Sequence, residues 1–239
     1  IINNLFCSDD PFVVEIGSND GITLQNFSNA GIRHLGIDPS ANVAESARKK
    51  GINVLCDFFG ETIVDQIVEE YGQADIFIAT NTMHHIADTN TVVAGVKKLL
   101  KPQGIAITED PYLVDMIELT SYEQIYAEHN FIWSITSLNY VFGQHGMEVF
   151  DVEPNKYHGG CMRYFLGHKG NHEHSPSLIK HLAKERELRL DKLETFELFR
   201  EKCETSRNQL MEYLEKLNAK NKRVVGYGAT AKSNTLINY

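Results

Sequence analysis

Three acidic positions follow three short apolar runs in the first part of the 239-residue chain. The run FVVEI leads into GSNDG, the next run ends at Asp38, and the third ends at Asp57, which precedes Phe58. A carboxylate about 20 residues after a glycine loop can accept ribose hydroxyls, and a carboxylate beside an aromatic ring suits an adenine amine. One such carboxylate is more often merely solvated, but three at successive strand ends favour a nucleoside site.

The loop after the first run indicates the charge of the ligand. Its candidate cofactor-binding residues are Glu15, Gly17, Ser18, Asn19, Asp20 and Gly21. The two glycines allow close backbone approach, whereas the two carboxylates disfavour a pyrophosphate, and the loop departs from the GxGxxG pattern. A cationic nucleoside fits better. S-adenosylmethionine (SAM) carries both an ammonium and a sulfonium group.

The segment ATNTMHHIAD follows the fourth apolar run and brings further polar groups to the same sheet edge. It holds Asn81, a candidate cofactor contact, and the pair His84 and His85. Histidine exchanges protons near neutral pH, so either ring could polarise a carbonyl or move a proton, although one could equally pack the following helix. Of the two, His85 is the preferred catalytic candidate.

A second segment with possible proton chemistry is QIYAEHN, which contains Tyr126, Glu128 and His129. If the segment is helical, Tyr126 and His129 share a face while Glu128 points elsewhere, so Glu128 does not simply orient His129. Taken alone, the segment is typical of a surface turn.

Alternating strand and helix patterns position these groups. The apolar runs FVVEI, HLGID, NVLCD, DIFIAT and GIAITED alternate with helical patterns such as NVAESARKK, ETIVDQIVEEYG and TVVAGVKKLLKPQG. This rhythm predicts a Rossmann-like α/β fold, in which a parallel sheet is built from right-handed crossovers.

The pattern changes beyond residue 112. Residues 112–150 are aromatic and irregular, as expected of an extension over a ligand pocket, and they end in the strand-like MEVFDVEP. HGGCMRYFLGHKGNHEHSP predicts a loop, residues 177–220 predict two helices of a connecting arm, and KRVVGYGATAKSNTLINY predicts a strand, glycine loop and helix. We therefore expect a first domain over 1–155, a loop and connecting helices over 156–221, and the start of a truncated Rossmann-like domain over 222–239.

Composition disfavours several partners. Acidic residues outnumber basic ones 32 to 23, giving a net charge of -9 that opposes binding to nucleic acid. No apolar run approaches the roughly 18 residues that span a bilayer, and the start lacks signal-peptide features, so we expect a cytoplasmic protein with no membrane partner. The dispersed residues Cys7, Cys56, Cys161 and Cys203 predict packing roles, and His168, His172 and His174 predict a solvated loop. No metal site is predicted.

Seven motifs in order resemble those of the nucleotide-sugar C-methyltransferases of deoxysugar biosynthesis. They are VEIGSNDG, GIDPSANVAESA, NTMHHIAD, EDPYLVDM, YEQIYAEHN, HGGCMRYFLG and GYGATAKSNTLINY. The resemblance covers nearly the whole chain, and its most specific part is VEIGSNDG with a later YxEH and HGG. It implies a class I methyltransferase sheet with bound SAM or S-adenosylhomocysteine. It also implies a nucleotide-sugar substrate, a thymidine-diphosphate-linked 4-keto-deoxysugar methylated at C3 through an enolate.

The resemblance assigns roles to particular residues. His129 is the implied general base, with Tyr126 and Glu128 as its neighbours in YxEH and His85 in the same pocket. The implied substrate-binding positions are His158, Lys232 and Ser233. Lys232 and Ser233 would hold the phosphates, although ordinary strand-to-helix packing explains them equally well.

Two departures and three alternatives limit this interpretation. Members of that family usually begin with a cysteine-rich zinc domain and continue well beyond the position of Tyr239, so zinc is not predicted and turnover by this chain is left open. The alternatives are an O- or N-methyltransferase of another metabolite, an NAD-dependent sugar-nucleotide enzyme and a non-catalytic nucleotide-binding fragment. GSNDG disfavours NAD, because its carboxylates disfavour a pyrophosphate.

Overall fold

The computed structural model describes residues 9–228 and 230–239, apart from the side chain of His158. The substrate role predicted for His158 and the packing role predicted for Cys7 therefore fall outside the described residues. Among the described helices, none is long and apolar enough to cross a membrane.

One mixed sheet forms the centre of the fold. Its strands are β1 (Phe12–Ile16), β2 (Arg33–Ile37), β3 (Val54–Leu55), β4 (Ala74–Thr80), β5 (Leu100–Pro111), β6 (Met147–Asn155) and β7 (Cys161–His168). Their order across the sheet is β3-β2-β1-β4-β5-β7-β6. The first five strands pair in parallel, whereas β7 is antiparallel to both β5 and β6. The predicted Rossmann-like α/β sheet is confirmed.

Helices cover both faces of the sheet. They are α1 (Leu24–Asn29), α2 (Ala41–Lys49), α3 (Glu61–Tyr71), α4 (Thr89–Leu99), α5 (Leu113–Leu119), α6 (Ile135–Gln144), α7 (Pro176–Glu187), α8 (Leu193–Ala219) and α9 (Ala231–Asn238). Side chains alternate between the faces of a strand. Accordingly, Val14 of β1 packs in the cluster that contains buried residues of α3, α4 and α6, while Val13 packs with α1 and α2.

Two local predictions are wrong, and one helix was not predicted. Residues 161–168 are not a loop but the strand β7, which fills the space between β5 and β6, so the sheet continues past the predicted boundary at residue 155. The glycine-rich flanks of β7 concealed it, because glycines are typical of turns. No strand forms over the described residues 222–228, since a strand without a neighbour has no partner for its backbone groups. The sequence interpretation also missed α6.

A buried carboxylate joins α7 to the rest of the core. Glu185 is 2% exposed and accepts hydrogen bonds from the Tyr112 hydroxyl at 3.0 Å and from the backbone N–H groups of Ile135 and Thr136 at 2.6 and 2.9 Å. The last two groups belong to the first turn of α6, whose N–H groups lack partners inside the helix. Glu185 therefore fixes α7 against α6 and the end of β5.

Candidate active site

The glycine loop after β1 has a conformation that only a residue without a side chain adopts easily. Gly17 has a φ of +60°, and a Cβ there would lie 2.5 Å from Oγ1 of Thr82. Its N–H donates to the Ile37 carbonyl at 2.9 Å, which holds the loop against the end of β2. The backbone at Gly17 is therefore left bare where the strands β1, β2 and β4 end.

The carboxylate of Asp38 is fixed at the end of β2. One of its oxygens accepts the Asn19 N–H and the other accepts the Ser40 N–H, both at 2.9 Å. Asp38 is only 7% exposed. Since a carboxylate oxygen accepts more than one hydrogen bond, each oxygen retains capacity for a ribose hydroxyl.

A cleft of about 410 Å³ opens in front of Asp38 and the glycine loop. It is lined by Ile16, Gly17, Ile37, Asp38, Pro39, Ser40, Asp57, Phe58, Phe59, Asn81, Thr82, His85, Ile86 and Val92. This volume lies within the range of roughly 300–1,000 Å³ that is usual for small-molecule sites. The described lining includes carboxylates and apolar side chains but no lysine or arginine. It fits a nucleoside with positive charge, such as SAM, better than a pyrophosphate.

The structure separates the predicted cofactor residues into two sets. Gly17, Asp38, Asp57, Phe58 and Asn81 line the cleft, whereas Glu15, Ser18, Asn19, Asp20 and Gly21 do not. Within the first set, Phe58 is 78% exposed at the rim, while its neighbour Phe59 packs on Phe77 in the core.

The residues of the second set support the loop. Asn19 contributes its backbone N–H to Asp38, and Asp20 lies at the surface, paired with Lys50 at 2.5 Å. Glu15 is buried below the loop, and this burial raises its pKa from 4.5 to about 8, although a hydrogen bond with Thr23 acts in the opposite direction. Ser18 is also buried, against Gly36.

A smaller pocket of about 150 Å³ adjoins the cleft, and we call it the histidine pocket. It is lined by Asn81, His84, His85, Pro111, Gln124, Tyr126, His129 and Lys232. Asn81 and His85 line both cavities. A molecule in the histidine pocket would therefore lie next to a molecule in the cleft.

The inner wall of the histidine pocket includes His84, which pairs with the buried Asp110. Nδ1 of His84 hydrogen bonds to a carboxylate oxygen of Asp110, and the two side chains are 2% and 0% exposed. Burial raises the pKa of Asp110 well above 3.8. The sequence interpretation missed Asp110, although its position near the end of β5 is the kind of strand-end carboxylate that identified Asp38.

The outer wall is an irregular segment fixed to the histidine pair. Nδ1 of His85 lies 2.7 Å from the Glu128 carbonyl, and the Asn130 side chain donates to the His85 carbonyl at 2.7 Å. The Asn130 backbone N–H donates to the His84 carbonyl at 2.9 Å. Glu128 thus contacts the site through its carbonyl, while its side chain is exposed. Asn130 was not among the predicted residues.

His129 faces the histidine pair from this segment. The segment is a turn rather than a helix, closed by the His129 N–H donating to the Tyr126 carbonyl at 2.9 Å, and the two rings lie 3.9 Å apart. Burial, followed by the nearby His84 and His85, lowers the pKa of His129 from 6.5 to about 4. Its Nδ1 is buried and has no hydrogen-bond partner among the described residues. At neutral pH this ring is unprotonated and can accept a proton.

Helix α9 reaches the histidine pocket from the far end of the chain. Lys232 lines the pocket, while Thr235 donates from its hydroxyl to the Ile125 carbonyl at 2.9 Å. Ser233 does not line the pocket, because its hydroxyl and its N–H bond to Thr230 at the start of α9.

Comparison with known proteins agrees with this architecture. Residues 2–152 match the family described as "Methyltransferase domain". The chain therefore belongs to the SAM-dependent methyltransferases, and SAM is the cofactor that the cleft fits.

The second part of the chain matches a more narrowly defined family. Residues 156–239 match the family described as "C-methyltransferase C-terminal domain". The chain is also 32% identical over 237 residues to the C-methyltransferase NovU of Streptomyces niveus, and the match covers 99% of this chain and 56% of NovU. The chain thus spans little more than half the length of that relative.

Solved structures share the fold at low sequence identity. A SAM-dependent methyltransferase from Anabaena variabilis has a TM-score of 0.56 at 17% identity, over 70% of this chain and 81% of that one. One from Clostridium acetobutylicum has a TM-score of 0.54 at 11% identity, over 71% and 87%.

Proposed function

We propose that this chain is the catalytic part of a SAM-dependent C-methyltransferase that acts on a nucleotide-linked 4-keto-deoxysugar, at the carbon next to the ketone. The observation that carries the proposal is the partly buried ring of His129, whose Nδ1 has no hydrogen-bond partner among the described residues and which lies in a pocket that adjoins the cofactor cleft. The matches to the C-methyltransferase family and to NovU support a carbon as the methyl acceptor.

His129 supplies the base. A C–H beside a carbonyl is acidic because its conjugate base is an enolate, so a positioned base can remove the proton. Nδ1 of His129 has no partner among the described residues and is the atom that takes the proton. The low pKa keeps His129 unprotonated before the reaction, and a developing enolate raises that pKa because a nearby negative charge stabilises the imidazolium.

Lys232 and His85 are placed to stabilise negative charge on the substrate. Both line the histidine pocket, and Lys232 brings a positive charge to it from α9. A cation placed beside a developing enolate oxygen, or beside a substrate phosphate, lowers the energy of that anion. We propose this role for Lys232, and a supporting role for Ser233 and His158.

Residues of the cleft hold the cofactor. SAM, when bound, supplies an electrophilic methyl group. Asp38 accepts the ribose hydroxyls, Asp57 and Phe58 contact the adenine, and the bare backbone at Gly17 admits the amino-acid part. Glu15 is buried under the glycine loop and stabilises its conformation. Because Asn81 and His85 border both cavities, the substrate carbon and the methyl group are held side by side, which is the main requirement of methyl transfer.

Deuterium exchange tests the proposal without requiring methyl transfer. In D₂O with S-adenosylhomocysteine bound, the chain should exchange the C3 hydrogen of a thymidine-diphosphate 4-keto-deoxysugar. His129→Gln should slow this exchange by about 10²- to 10⁴-fold, the usual contribution of a general base. The matched control is His174→Gln, since His174 is an exposed histidine outside both cavities.

Calorimetry with S-adenosylhomocysteine shows that each variant is folded. Exchange that is equally fast in His129→Gln would refute the role of His129. Methyl transfer by the wild type without any exchange at carbon would instead indicate an O- or N-methyltransferase.

A further inference from the structure

We propose that His84, His85 and His129 bind one divalent transition-metal ion. One ring nitrogen from each of the three side chains lies within 4.8 Å of the other two. The rings also contact each other, with centroids 4.1 to 5.1 Å apart. Imidazole is a preferred ligand of Zn²⁺, Co²⁺, Ni²⁺ and Cu²⁺, so the arrangement offers three ligands of one type to one ion.

The second nitrogen of each ring is held as it is in known metal centres. Histidine ligands usually donate their other N–H to a carboxylate or a backbone carbonyl. Here Nδ1 of His84 bonds to Asp110, Nδ1 of His85 bonds to the Glu128 carbonyl, and His129 bonds to the backbone of Gln124. These partners select Nε2 of His84 and His85 as ligand atoms. For His129 the ligand is Nδ1, the buried nitrogen that has no partner among the described residues.

The geometry requires only a small movement. Zinc–nitrogen distances of about 2.0–2.1 Å in a tetrahedral site place ligand nitrogens about 3.3 Å apart. Since the ring nitrogens lie within 4.8 Å of one another, they must approach by at most about 1.5 Å. His84 is held rigidly in the interior, whereas His85 is exposed and His129 lies on a turn, so the latter two can move towards it. Three protein ligands leave the fourth position open to the histidine pocket, as in catalytic zinc sites.

Charge determines what takes the fourth position. The carboxylate of Asp110 favours a cation, whereas Lys232 lines the same pocket and opposes one. An anionic fourth ligand, such as hydroxide or a phosphate oxygen, resolves this conflict. We therefore expect binding in the micromolar range rather than the tighter binding of structural zinc.

One consequence of metal binding rests on the proposed function of His129. The metal site itself does not depend on that function. A metal ion would use the electron pair on Nδ1 of His129 that otherwise accepts the substrate proton. The metal-loaded protein would then bind S-adenosylhomocysteine but fail to exchange the substrate hydrogen. Metal binding and base catalysis are measured separately, so either can fail alone.

Cobalt titration tests the site. The untagged chain, freed of metal with a chelator, is titrated with Co²⁺ and followed by its visible absorption, and equilibrium dialysis with Zn²⁺ gives the stoichiometry. The expected result is one equivalent of ion bound with micromolar affinity. His85→Ala and His129→Ala should each weaken binding at least 100-fold, and Asp110→Asn should weaken it by about 10- to 100-fold.

The controls separate this site from the other histidines. His174→Ala should leave Co²⁺ affinity within about twofold, because His174 lies at the surface beside Glu148. Each variant is checked for folding by circular dichroism and urea denaturation, because His85 also lines the cofactor cleft. The proposal is overturned if no saturable binding occurs, if the folded His85→Ala and His129→Ala variants bind as tightly as the wild type, or if His174→Ala alone removes binding.

Discussion

The cofactor cleft and the histidine pocket are neighbours, but the chain builds them in different ways. The cleft uses residues that follow β1, β2, β3 and β4 in simple succession, such as Gly17, Asp38 and Asp57. The histidine pocket joins His84, Asp110, His129 and Lys232, which come from distant parts of the chain. The cleft therefore depends on the regular geometry of a parallel sheet. The histidine pocket depends on specific side-chain contacts, above all the buried His84–Asp110 pair.

The two cavities should differ most in how much one carboxylate contributes to the stability of the fold. Asp110→Ala leaves His84 buried without its carboxylate partner, and we expect the free energy of unfolding to fall by about 3 to 5 kcal/mol. Asp57→Ala removes an exposed carboxylate of the cleft and should change it by less than about 0.5 kcal/mol. Urea denaturation measures both. Equal effects would mean that the two cavities do not differ in this way.

Two glycine variants test whether ligand binding in the cleft requires a residue without a side chain at position 17. Gly17→Ala and Gly31→Ala both place a side chain at positive φ, +60° and +70°, so both carry backbone strain. Only at Gly17 does the new Cβ meet another group, Thr82 at 2.5 Å. We expect Gly17→Ala to weaken S-adenosylhomocysteine binding about 100-fold, with Gly31→Ala within about twofold, by calorimetry. Similar losses in both variants would point to strain alone.

Asp38 and Asp20, which the sequence could not distinguish, should differ in their contribution to S-adenosylhomocysteine binding. Asp38→Ala should weaken S-adenosylhomocysteine binding by about 10- to 100-fold, because hydrogen bonds to a charged group contribute about 1.5–3 kcal/mol. Asp20→Ala should leave the affinity nearly unchanged, since Asp20 pairs with Lys50 at the surface and does not line the cleft. Loss of binding in Asp20→Ala alone would reverse this assignment.

The smallest effect is a difference in pH dependence. The pKa of Glu15 is raised from 4.5 to about 8, so between these values the folded state holds a proton that the unfolded chain has lost, and stability falls as pH rises. The pKa of His129 is lowered from 6.5 to about 4, so between these values the unfolded chain holds the extra proton, and stability rises with pH. The two contributions oppose each other from pH 4.5 to 6.5, and only Glu15 acts from 6.5 to 8.

Urea denaturation of the wild type and Glu15→Gln at pH 6.5 and pH 8 measures the contribution of Glu15. The free energy of unfolding should fall by about 1 to 2 kcal/mol between these pH values. Glu15→Gln should reduce this fall, because the glutamine side chain does not titrate. The same pH dependence in wild type and variant would show that Glu15 is not the responsible group.

The sequence predicted the cleft better than the histidine pocket for a physical reason. Strand ends in a parallel sheet meet at one edge, so Asp38 and Asp57 could be placed together from their position after apolar runs. No local pattern places Asp110 beside His84, because burial and side-chain packing create that pair. The prediction of His129 depended on the family resemblance, since its segment is an irregular turn that resembles any surface loop.

The position of β7 has a consequence for the synthesis of the chain. β5 is the last parallel strand, and its outer edge pairs with residues 161–166, which are made about 50 residues later. Until those residues leave the ribosome, the nascent sheet exposes an unpaired edge that can associate with other chains. Glu185, which fixes α7 against α6 and the end of β5, is synthesised later still. A shortened version of this domain that stops at residue 155 should therefore aggregate, and one that reaches the end of α7 contains every strand of the described sheet.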